Sequence, residues 1–444
     1  MDEEQIEGAI SISLEDIENL PQDGLSSGPA NKQQETGDSR FSRFSLISWW
    51  DQEKIANAKI LVVGAGALGN EILKNLVLTG FRNILVVDLD NIEHSNLSRS
   101  VLYRPDDIGK GKAETAAKAA MEIYEDAVVH PIDANICFNV GLGVFGWADI
   151  IIGGLDNRAA RLWINQSAWK MNRPWIDGAI QGISGVAKVF LPGTAPCYEC
   201  TLNEMDMQLA EKQLRNPCTG LTLKEMKGGK VPTTPTVSSI IAGIQVQEAL
   251  KILHSDTMID EDLDGNPILL ESAVLAGRGY HFEGLNHTSY ITEYTEKELC
   301  NAHYVFDPDK LYKLETTSDE ATLDDLLQQA RDDLGNGLAC LEFSRNVIHK
   351  MVCNDCDSEE EVFQTMASEE MATCKDCSKE RETQWINGYT GEENYGERTL
   401  AQVGLPPFDV VTARAEMEEI YYEISGDASR VLGPLPTEQT KHMP

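Results

Sequence analysis

The clearest chemistry in this chain belongs to its cysteines, because six of the ten fall in three Cys-x-x-Cys pairs. Thiolates at this spacing are ligands for zinc, and two such pairs complete a tetrahedral site. The first pair, Cys197 and Cys200, is matched far along the chain by Cys300 and His303, which again stand three residues apart. We therefore expect a structural zinc held by these four residues, and the site is incomplete if His303 is not a ligand.

The other two pairs lie close together towards the C-terminus. Cys353 and Cys356 are separated from Cys374 and Cys377 by seventeen residues, within the range of about 15–20 for a paired-cysteine zinc module. A strand-like stretch over 339–352 leads into the first pair, so a zinc ribbon capping a hairpin is the simplest structure. Disulfides are the alternative, but they are rare in a reducing compartment. The sequence thus predicts two zinc ions per chain, one in each of two domains.

A glycine-rich loop follows the first strongly apolar stretch. The buried strand predicted over 60–63 runs into Gly64, Gly66 and Gly69, and a helix is expected directly after them. In that context the backbone amides and the helix N-terminus form an anion site that a phosphate can approach closely. Asp88 ends the next predicted strand, where its carboxylate can accept hydrogen bonds from ribose hydroxyls. The loop alone does not choose between nucleotides, because NAD and FAD domains share it.

Four motifs from Asp88 onwards indicate which class of nucleotide-binding domain the chain resembles. They occupy 88–93, 95–99, 109–112 and 154–158. Their order resembles the superfamily that includes ubiquitin-activating enzymes and the molybdopterin and thiamine pathway adenylyltransferases, with a ThiF/MoeB-type adenylation domain. The resemblance covers about 40–303 of the chain. It implies ATP- and Mg²⁺-dependent adenylation of the C-terminal glycine of a ubiquitin-like protein.

The resemblance also implies roles for individual residues. By this resemblance Asp156, with Asn157 beside it, binds magnesium and ATP, and Asp88 binds the ribose. The phosphates are bound by three further side chains, Asn96, Arg99 and Lys112. These residue types suit the reaction, because attack of a carboxylate on the α-phosphate brings two anions together and cations must neutralise them. Surface ion pairs are the alternative for any one of these side chains, but they do not explain the ordered set.

Positions before the first strand and after Arg99 also bear on the resemblance. Ser100 stands where the family usually has glutamine. Arg40 and Arg43 precede the first predicted strand, where the family has an arginine pair. In homodimeric relatives the second arginine reaches the ATP of the partner subunit, so the resemblance implies that role for Arg43 and a homodimer. An ordinary surface arginine is the alternative.

The nucleophile implied by the resemblance is Cys218, within the run Asn216-Pro217-Cys218-Thr219. This run resembles the Pro-x-Cys-Thr neighbourhood of the catalytic cysteine in the activating enzymes, with the proline one place nearer. A thiol outside the paired sets and near lysines can ionise and attack an acyl-adenylate. A structural cysteine is the alternative. The polar segment 201–231 that carries Cys218 is short, so the family's large cysteine domain is absent, as in its compact members.

Three hypotheses about function follow from these residues. The leading hypothesis is a compact activating enzyme that adenylates a ubiquitin-like protein, captures it as a thioester on Cys218 and passes it to a conjugating enzyme. The second is a sulfur-carrier adenylyltransferase that stops at the adenylate, although no fused rhodanese-like domain is apparent. The third is an inactive subunit with an active partner, against which the intact Arg99, Lys112, Asp156 and Cys218 argue.

Composition limits the partners and the compartment. The chain has 37 Lys+Arg against 72 Asp+Glu, a formal net charge of −35, and such a surface repels nucleic acid. Its apolar stretches are too short to cross a bilayer, and no basic leader opens the chain, so a membrane protein is not expected. Thiolate pairs in a chain without a leader predict a cytoplasmic location.

The predicted elements divide the chain into three regions. Residues 1–37 are acidic and polar, and we expect them to be disordered. Residues 38–305 alternate strands and helices, which predicts an α/β adenylation domain with a Rossmann-like, mostly parallel sheet. Residues 306–444 are expected to form a smaller α+β, zinc-containing domain. In the family such a domain often has a ubiquitin fold and recruits the conjugating enzyme, so its deletion is expected to spare adenylation and impair transfer.

Overall fold

The computed structural model describes residues 39–194, 196–215, 232–261, 266–366 and 369–437. The strands in these ranges are β1 Lys59–Val63, β2 Asn83–Asp88, β3 Val128–Asp133, β4 Ile150–Gly153, β5 Trp175–Gln181, β6 Ser184–Phe190, β7 Met258–Glu261, β8 Pro267–Leu269, β9 Arg278–Glu283, β10 Thr288–Glu293, β11 Leu311–Leu314, β12 Cys340–Val352, β13 Glu359–Gln364, β14 Glu382–Tyr389, β15 Val410–Ala415 and β16 Glu418–Ile424. The α-helices are α1 Gln52–Asn57, α2 Ala67–Thr79, α3 Lys112–Ile123, α4 Leu142–Trp147, α5 Arg158–Lys170, α6 Tyr198–Thr201, α7 Glu204–Arg215, α8 Pro235–Leu253, α9 Leu323–Asp333, α10 Glu369–Ala372, α11 Leu400–Val403 and α12 Ala428–Leu432. Within the described part of the chain, none of the helices combines the length and the apolar character needed to cross a bilayer.

Eight strands form the large sheet in the order β10-β9-β6-β5-β4-β1-β2-β3. Strands β5, β4, β1, β2 and β3 are parallel, whereas β6, β9 and β10 join by antiparallel pairing. Parallel neighbours need crossover connections, and the crossover helices cover both faces of the sheet. Every residue of β1 is accordingly buried. The predicted fold class, a Rossmann-like and mostly parallel α/β domain, is confirmed.

The two faces of the large sheet pack against different cores. Successive side chains of a strand point to opposite faces. Ile60 and Val62 of β1 therefore face α2, α3 and α8, in the core that also holds Ile241. Leu61 and Val63 face the other core, with Phe145 of α4 and residues of α5. Both cores hold the carboxyl end of β1 in place.

The loops that carry the predicted chemistry meet at one edge of the sheet. Strand β1 lies between β4 and β2, and all three run in the same direction. The glycine loop follows β1, Asp88 ends β2, and the segment 154–157 follows β4. A crevice at the carboxyl ends of adjacent parallel strands is the usual ligand site of open α/β sheets.

The C-terminal region forms a second, six-stranded sheet. Its order is β11-β16-β15-β12-β13, and β14 pairs with β12. Helix α9 begins after Thr322, whose side chain accepts a hydrogen bond from the Asp325 amide. Its buried residues Leu323, Leu326, Leu327 and Ala330 recur at helical spacing and pack on this sheet. The smaller α+β region predicted for the C-terminal part is confirmed, whereas its likeness to a ubiquitin-fold domain stays a prediction.

The two regions share one hydrophobic core. Phe306, Phe408, Tyr421 and Leu432 from the C-terminal region are buried in the same cluster as Phe145 of α4. The ring of Phe306 also stacks on Tyr421, with centroids 4.1 Å apart. The domain boundary predicted between 305 and 306 stays a prediction. The residues on its two sides pack together in the shared core.

Candidate functional site

The glycine loop after β1 leaves no room for a side chain at two of its three glycines. Gly64 has a φ of +95°, and a Cβ on it would lie 2.7 Å from the carbonyl oxygen of Gly154. A Cβ on Gly69 would overlap the carbonyl group of Gly64. By contrast, a Cβ on Gly66 would meet nothing within 4 Å, and no side chain caps the N-terminus of α2 there. The loop therefore presents backbone on its open side, which suits a phosphate group.

Asn70 braces this loop from the first turn of α2. Its Nδ2 donates to the carbonyl oxygens of Ala65 at 2.7 Å and Gly66 at 3.0 Å. Its Oδ1 accepts from the backbone amide of Leu102 at 2.9 Å. Tyr103 adds a hydroxyl hydrogen bond of 2.6 Å to the Ala65 carbonyl. These bonds tie the glycine loop to the segment 96–103, and the sequence analysis did not identify either side chain.

Asp88 lies at the end of β2, directly beside the loop. Its Oδ2 accepts from the Ala65 amide at 2.7 Å and its Oδ1 from the Asp90 amide at 2.8 Å. Burial raises the pKa of Asp88, against the opposing effects of the Lys112 charge and the two amide donors. Each carboxylate oxygen can accept a second hydrogen bond, so the group is equipped to bind ribose hydroxyls.

Lys112 begins α3 and faces the same crevice. Its Nζ is 2.7 Å from Oδ2 of Asp90, and its side chain is 12% exposed against 58% for Asp90. Its backbone amide also donates to the Asp90 carbonyl at 2.9 Å. Asp90 therefore fixes the position of the ammonium group. Asp90 belongs to the motif 88–93, but its ion pair with Lys112 was not predicted from the sequence.

Asn96 and Arg99 lie in and just after the short 3₁₀ turn His94–Ser98. Asn96 is buried, and its Oδ1 accepts from the Glu93 amide at 2.8 Å, which leaves the amide nitrogen as its donor. The guanidinium of Arg99 donates to the Ser95 carbonyl at 2.6 Å. Arg99 forms no ion pair with any residue in the described ranges. Its charge is thus available to an anion.

The third loop, after β4, carries Asp156 and Asn157. Asp156 is exposed at the rim of the crevice. Asn157 is the N-cap of α5, because its Oδ1 accepts from the Ala160 amide at 2.7 Å. The structure thus gives Asn157 a capping role, and its contact with a nucleotide stays a prediction.

Buried polar residues behind this loop were not identified from the sequence. Nε of Arg161 is 2.9 Å from Oδ1 of Asp177, and both side chains are almost fully buried. The same guanidinium donates to the carbonyl oxygens of Leu155 and Gly178. Lys188 lies 5.2 Å from the ring centroid of Tyr294, and burial lowers its pKa. Their partners are distant in sequence, so no local spacing pointed to them.

The first cysteine cluster brings together the four predicted ligands. Their ligand atoms all lie within 4.8 Å of one another. Sγ of Cys197 is 3.8 Å from Sγ of Cys200 and 3.5 Å from Sγ of Cys300, and Nε2 of His303 is 3.5 Å from Sγ of Cys200. Tetrahedral zinc with bonds of about 2.3 Å to sulfur sets its ligand atoms about 3.5–3.8 Å apart. The donor set and spacing therefore fit one zinc ion.

The surroundings of His303 fit the same assignment. Its Nδ1 is 3.1 Å from Oε1 of Glu296, and a carboxylate in that position orients a ligating imidazole. The imidazole stacks on Trp169 of α5 at 5.2 Å. The Lys297 amide points at Sγ of Cys200 at 3.4 Å, as backbone amides do around thiolates.

The second cluster gathers Cys353, Cys356, Cys374 and Cys377, again with all ligand atoms within 4.8 Å. The Sγ atoms of Cys353 and Cys377 are 3.4 Å apart, and those of Cys356 and Cys374 are 3.6 Å apart. A disulfide requires about 2.05 Å, so these distances fit thiolates around a metal. The first pair lies in the turn between β12 and β13, and the second precedes β14.

The crevice described above does not include the two predicted catalytic residues. Cys218 lies outside the described residues, so its role stays a prediction. Arg43 is exposed and precedes the 3₁₀ turn Phe44–Leu46, away from the glycine loop of its own chain.

A crevice with an open glycine loop and nearby cations is typical of a nucleotide-binding α/β domain. The chain belongs to the ThiF family, whose model matches residues 39–282. It is 40% identical over 158 residues to SUMO-activating enzyme subunit uba-2 of Caenorhabditis elegans, a match that covers 35% of this chain and 27% of that protein. It is 41% identical over 157 residues to the NEDD8-activating enzyme E1 catalytic subunit of Arabidopsis thaliana, covering 32% of this chain and 34% of that protein. The matches thus span about a third or less of those relatives. Among solved structures, E. coli MccB with ATP is 22% identical, covering 60% of this chain and 75% of that chain with a TM-score of 0.47.

Proposed function

We propose that this chain activates a ubiquitin-like protein by adenylating its C-terminal glycine with ATP. The observation that carries the proposal is the meeting of the glycine loop, Asp88, Lys112 and the Asp156 loop at adjacent strand ends. The names of the two relatives, SUMO- and NEDD8-activating enzyme subunits, support the substrate class.

In the proposed first step, a terminal carboxylate oxygen attacks the α-phosphorus of ATP. The bond from that phosphorus to the bridging oxygen breaks, and pyrophosphate leaves. Lys112 and Arg99 bind the phosphate charge, the N–H group of Asn96 donates to a phosphate oxygen, and Asp88 orients the ribose. Mg²⁺ at Asp156 would supply further charge neutralisation.

In the proposed second step, the Cys218 thiolate attacks the acyl carbon of the adenylate. The acyl–oxygen bond breaks, AMP leaves, and the partner is held as a thioester. The thiol of a conjugating enzyme then attacks the same carbon and releases Cys218. If the thioester step does not occur, the chain is instead an adenylyltransferase for a sulfur-carrier protein.

The test combines ATP–pyrophosphate exchange with non-reducing gels, using a panel of ubiquitin-like and sulfur-carrier proteins. Asp156→Ala should reduce exchange by at least about a hundredfold, because adenylation loses its metal ligand. Cys218→Ala should leave exchange intact and remove the thiol-sensitive adduct. Exchange without any adduct in the unmodified chain would support the sulfur-carrier alternative. Normal exchange in Asp156→Ala would overturn the proposed site.

We further propose a homodimer in which Arg43 serves the nucleotide of the other copy. The distance between Arg43 and the crevice of its own chain supports this role. Arg40 donates to the Ile123 carbonyl at the C-terminal end of α3, and the Phe41 ring contacts Gly80 at the C-terminal end of α2. The glycine loop lies at the other end of the thirteen-residue α2, about 20 Å away. Arg43 is therefore remote from its own crevice.

Mixing two inactive variants tests this arrangement. An Arg43→Ala subunit keeps Asp156, and an Asp156→Ala subunit keeps Arg43, so each hybrid dimer holds one complete site. Random exchange of subunits should recover about a quarter of wild-type exchange activity. No recovery, together with a monomer in light scattering, would contradict the dimer.

We also propose that each cysteine cluster binds one zinc ion in a reducing, cytoplasmic compartment. The support is the spacing of the ligand atoms and the carboxylate behind His303. The bound ions would be structural, because all four coordination positions at each cluster are filled by protein.

A further inference from the structure

The segment 39–51, which we call the N-terminal strap, is attached to the domain by few contacts. Phe41 meets Tyr124 edge to face at 5.6 Å, and the Arg40 guanidinium donates to the Ile123 carbonyl at 2.8 Å. Within the strap, Phe44 lies 4.7 Å from Trp50. The strap's one short turn, Phe44–Leu46, buries no residue. Its course over the surface therefore depends on a few anchoring contacts, and the last of these is at Trp49 and Trp50.

That anchor is His254, a fully buried residue just after α8. Its ring lies 5.4 Å from the ring of Trp49 and 6.4 Å from that of Trp50. Its Nδ1 is 2.8 Å from the Leu250 carbonyl oxygen, and its Nε2 is 3.1 Å from the Asp51 amide nitrogen. The carbonyl can only accept, so Nδ1 carries the hydrogen. The amide can only donate, so Nε2 must keep its lone pair.

We infer that His254 is a positioning residue that latches the N-terminal strap only while its imidazole is neutral. This inference rests on the proposed function in one respect, because the strap carries Arg43. Protonation of Nε2 would place two donors against each other and break the bond to Asp51. The strap would then lose the hydrogen bond that joins its C-terminal residue Asp51 to the end of α8.

The charges around the ring do not replace this bond. Oδ1 of Asp51 already accepts from the amides of Glu53 and Lys54. Nζ of Lys54 pairs with Asp256, two residues beyond His254. The amide of Glu271 donates to the Ser255 carbonyl, which places this further acidic residue beside the turn. Burial lowers the pKa of His254, with hydrogen bonding to Leu250 opposing it.

The direction of the pH effect follows from that shift. A histidine whose pKa is lowered in the closed state binds protons better once it is released. The latch is therefore complete above the ordinary value of 6.5. It weakens as the pH falls from that value towards the lower pKa of the closed state.

Hydrogen–deuterium exchange of the full chain tests the latch directly, without ATP or a partner protein. Rates are corrected for the pH dependence of the intrinsic exchange reaction, and the 158–170 peptide serves as reference. Protection of peptides spanning 41–54 should be constant from pH 8 to 6.5. Below that it should fall by about tenfold per pH unit until the closed-state pKa is reached.

Two variants distinguish the effect of protonating His254 from the effect of its ring packing. His254→Gln supplies one donor and one acceptor that do not titrate, so protection of the strap should become independent of pH. His254→Phe keeps an aromatic ring but loses both bonds, so protection should be low at every pH while the reference peptide is unchanged. A flat wild-type profile, or a glutamine variant with the wild-type profile, would overturn the inference.

Exchange of ATP with pyrophosphate distinguishes this inference from the proposed function. If both hold, wild-type exchange activity should decline over the same pH range, and His254→Gln should restore it. A chain that shows the pH-dependent protection but never adenylates any partner would contradict the proposed function and still support the latch.

Discussion

At the scale of single residues, the most consequential side chain of the crevice is Asn70. Its side chain bonds to three backbone groups, namely two carbonyls of the glycine loop and one amide of the next loop. Backbone groups buried without partners cost about 1–3 kcal/mol each. One amide side chain therefore sets the shape of the loop that is to receive a phosphate.

Asn70→Ala should lower the free energy of unfolding by about 1–3 kcal/mol, because the buried Leu102 amide loses its hydrogen-bond acceptor. It should also raise the KM for ATP by at least about tenfold, since the loop is no longer pre-organised. Urea unfolding and exchange kinetics measure the two effects. Asn75→Ala is the matched control, because Asn75 lies on the same helix and its recorded bond uses only its backbone oxygen. Equal effects of the two variants would contradict the bracing role.

A second residue-scale prediction concerns Asp90, which holds Lys112 in the crevice. Asp90→Asn removes the ion pair but keeps a hydrogen-bond acceptor, so the ammonium group becomes more mobile. We expect the KM for ATP to change by a few fold, whereas Lys112→Met should reduce exchange by about a hundredfold or more, because a cation at the phosphates is lost. Similar effects from both variants would show that the pairing, and not the charge, is what the reaction needs.

How far the sequence could predict the site depends on the range of each interaction. Gly64, Asp88 and Lys112 belong to motifs of fixed spacing, and the structure brings all three to one crevice. Arg161 and Asp177 were missed because each serves a partner on another strand or loop. A buried arginine on an apolar helix has no sequence signature that separates it from an exposed one.

At the scale of elements, the two cysteine clusters differ in the size of the hydrophobic core beside them. The first fixes α6 and the turn at Asn301–His303 against α5, next to a large core. The second lies on the β12, β13 and β14 extension, whose buried core is limited to Ile348, Met351 and Val362. An apolar core that small cannot stabilise three strands without additional support.

Cys374→Ser should therefore reduce bound zinc from two ions per chain to one and unfold the extension locally. The crevice should keep its affinity for ATP, because the two lie in different cores. Elemental analysis and hydrogen exchange of 382–389 measure both outcomes. Cys340→Ser is the control, since Cys340 is a half-buried cysteine outside both clusters. A wild-type chain with fewer than two zinc ions would refute the prediction.

The elements themselves were predictable where periodicity was strong. The helix expected directly after the glycine loop is α2, and the strand expected over 339–352 is β12. Strand β3 was not identified because Pro131 and flanking polar residues interrupt its apolar pattern at the edge of the sheet. Strands β9 and β10 were missed because nearly all of their residues are at least partly exposed. Antiparallel edge strands carry less burial, and therefore less signal, than central parallel ones.

At the scale of the whole molecule, the two sheets are parts of one packed body. Phe408, Tyr421 and Leu432 cover the same core as Trp163. Removing residues 306–444 would expose that face, at about 1.5–3 kcal/mol for each large side chain. We now expect the truncated chain to aggregate instead of retaining adenylation, which changes the expectation drawn from the sequence.

The polar contact at the centre of this interface is Arg345. Its guanidinium donates to the carbonyls of Phe138 at 2.7 Å and Val140 at 3.1 Å and lies 4.8 Å from the Trp163 ring. It is also 3.5 Å from Asp409, whose Oδ1 accepts from the Leu142 amide at 2.8 Å. Both charged groups are buried. A variant that removes Arg345 deprives the buried Asp409 of its ion-pair partner, although the Leu142 amide and the Ser344 hydroxyl still donate to it.

Arg345→Met should therefore lower the free energy of unfolding by about 3–5 kcal/mol, whereas Lys350→Met, at an ion pair open to solvent, should change it by less than about 1 kcal/mol. Because the core is shared, unfolding of the variant should still expose α5 and β16 together. Hydrogen exchange across a urea series measures the opening of both elements in one experiment. Opening of β16 at a urea concentration where α5 stays protected would show two independently stable domains and contradict the shared core.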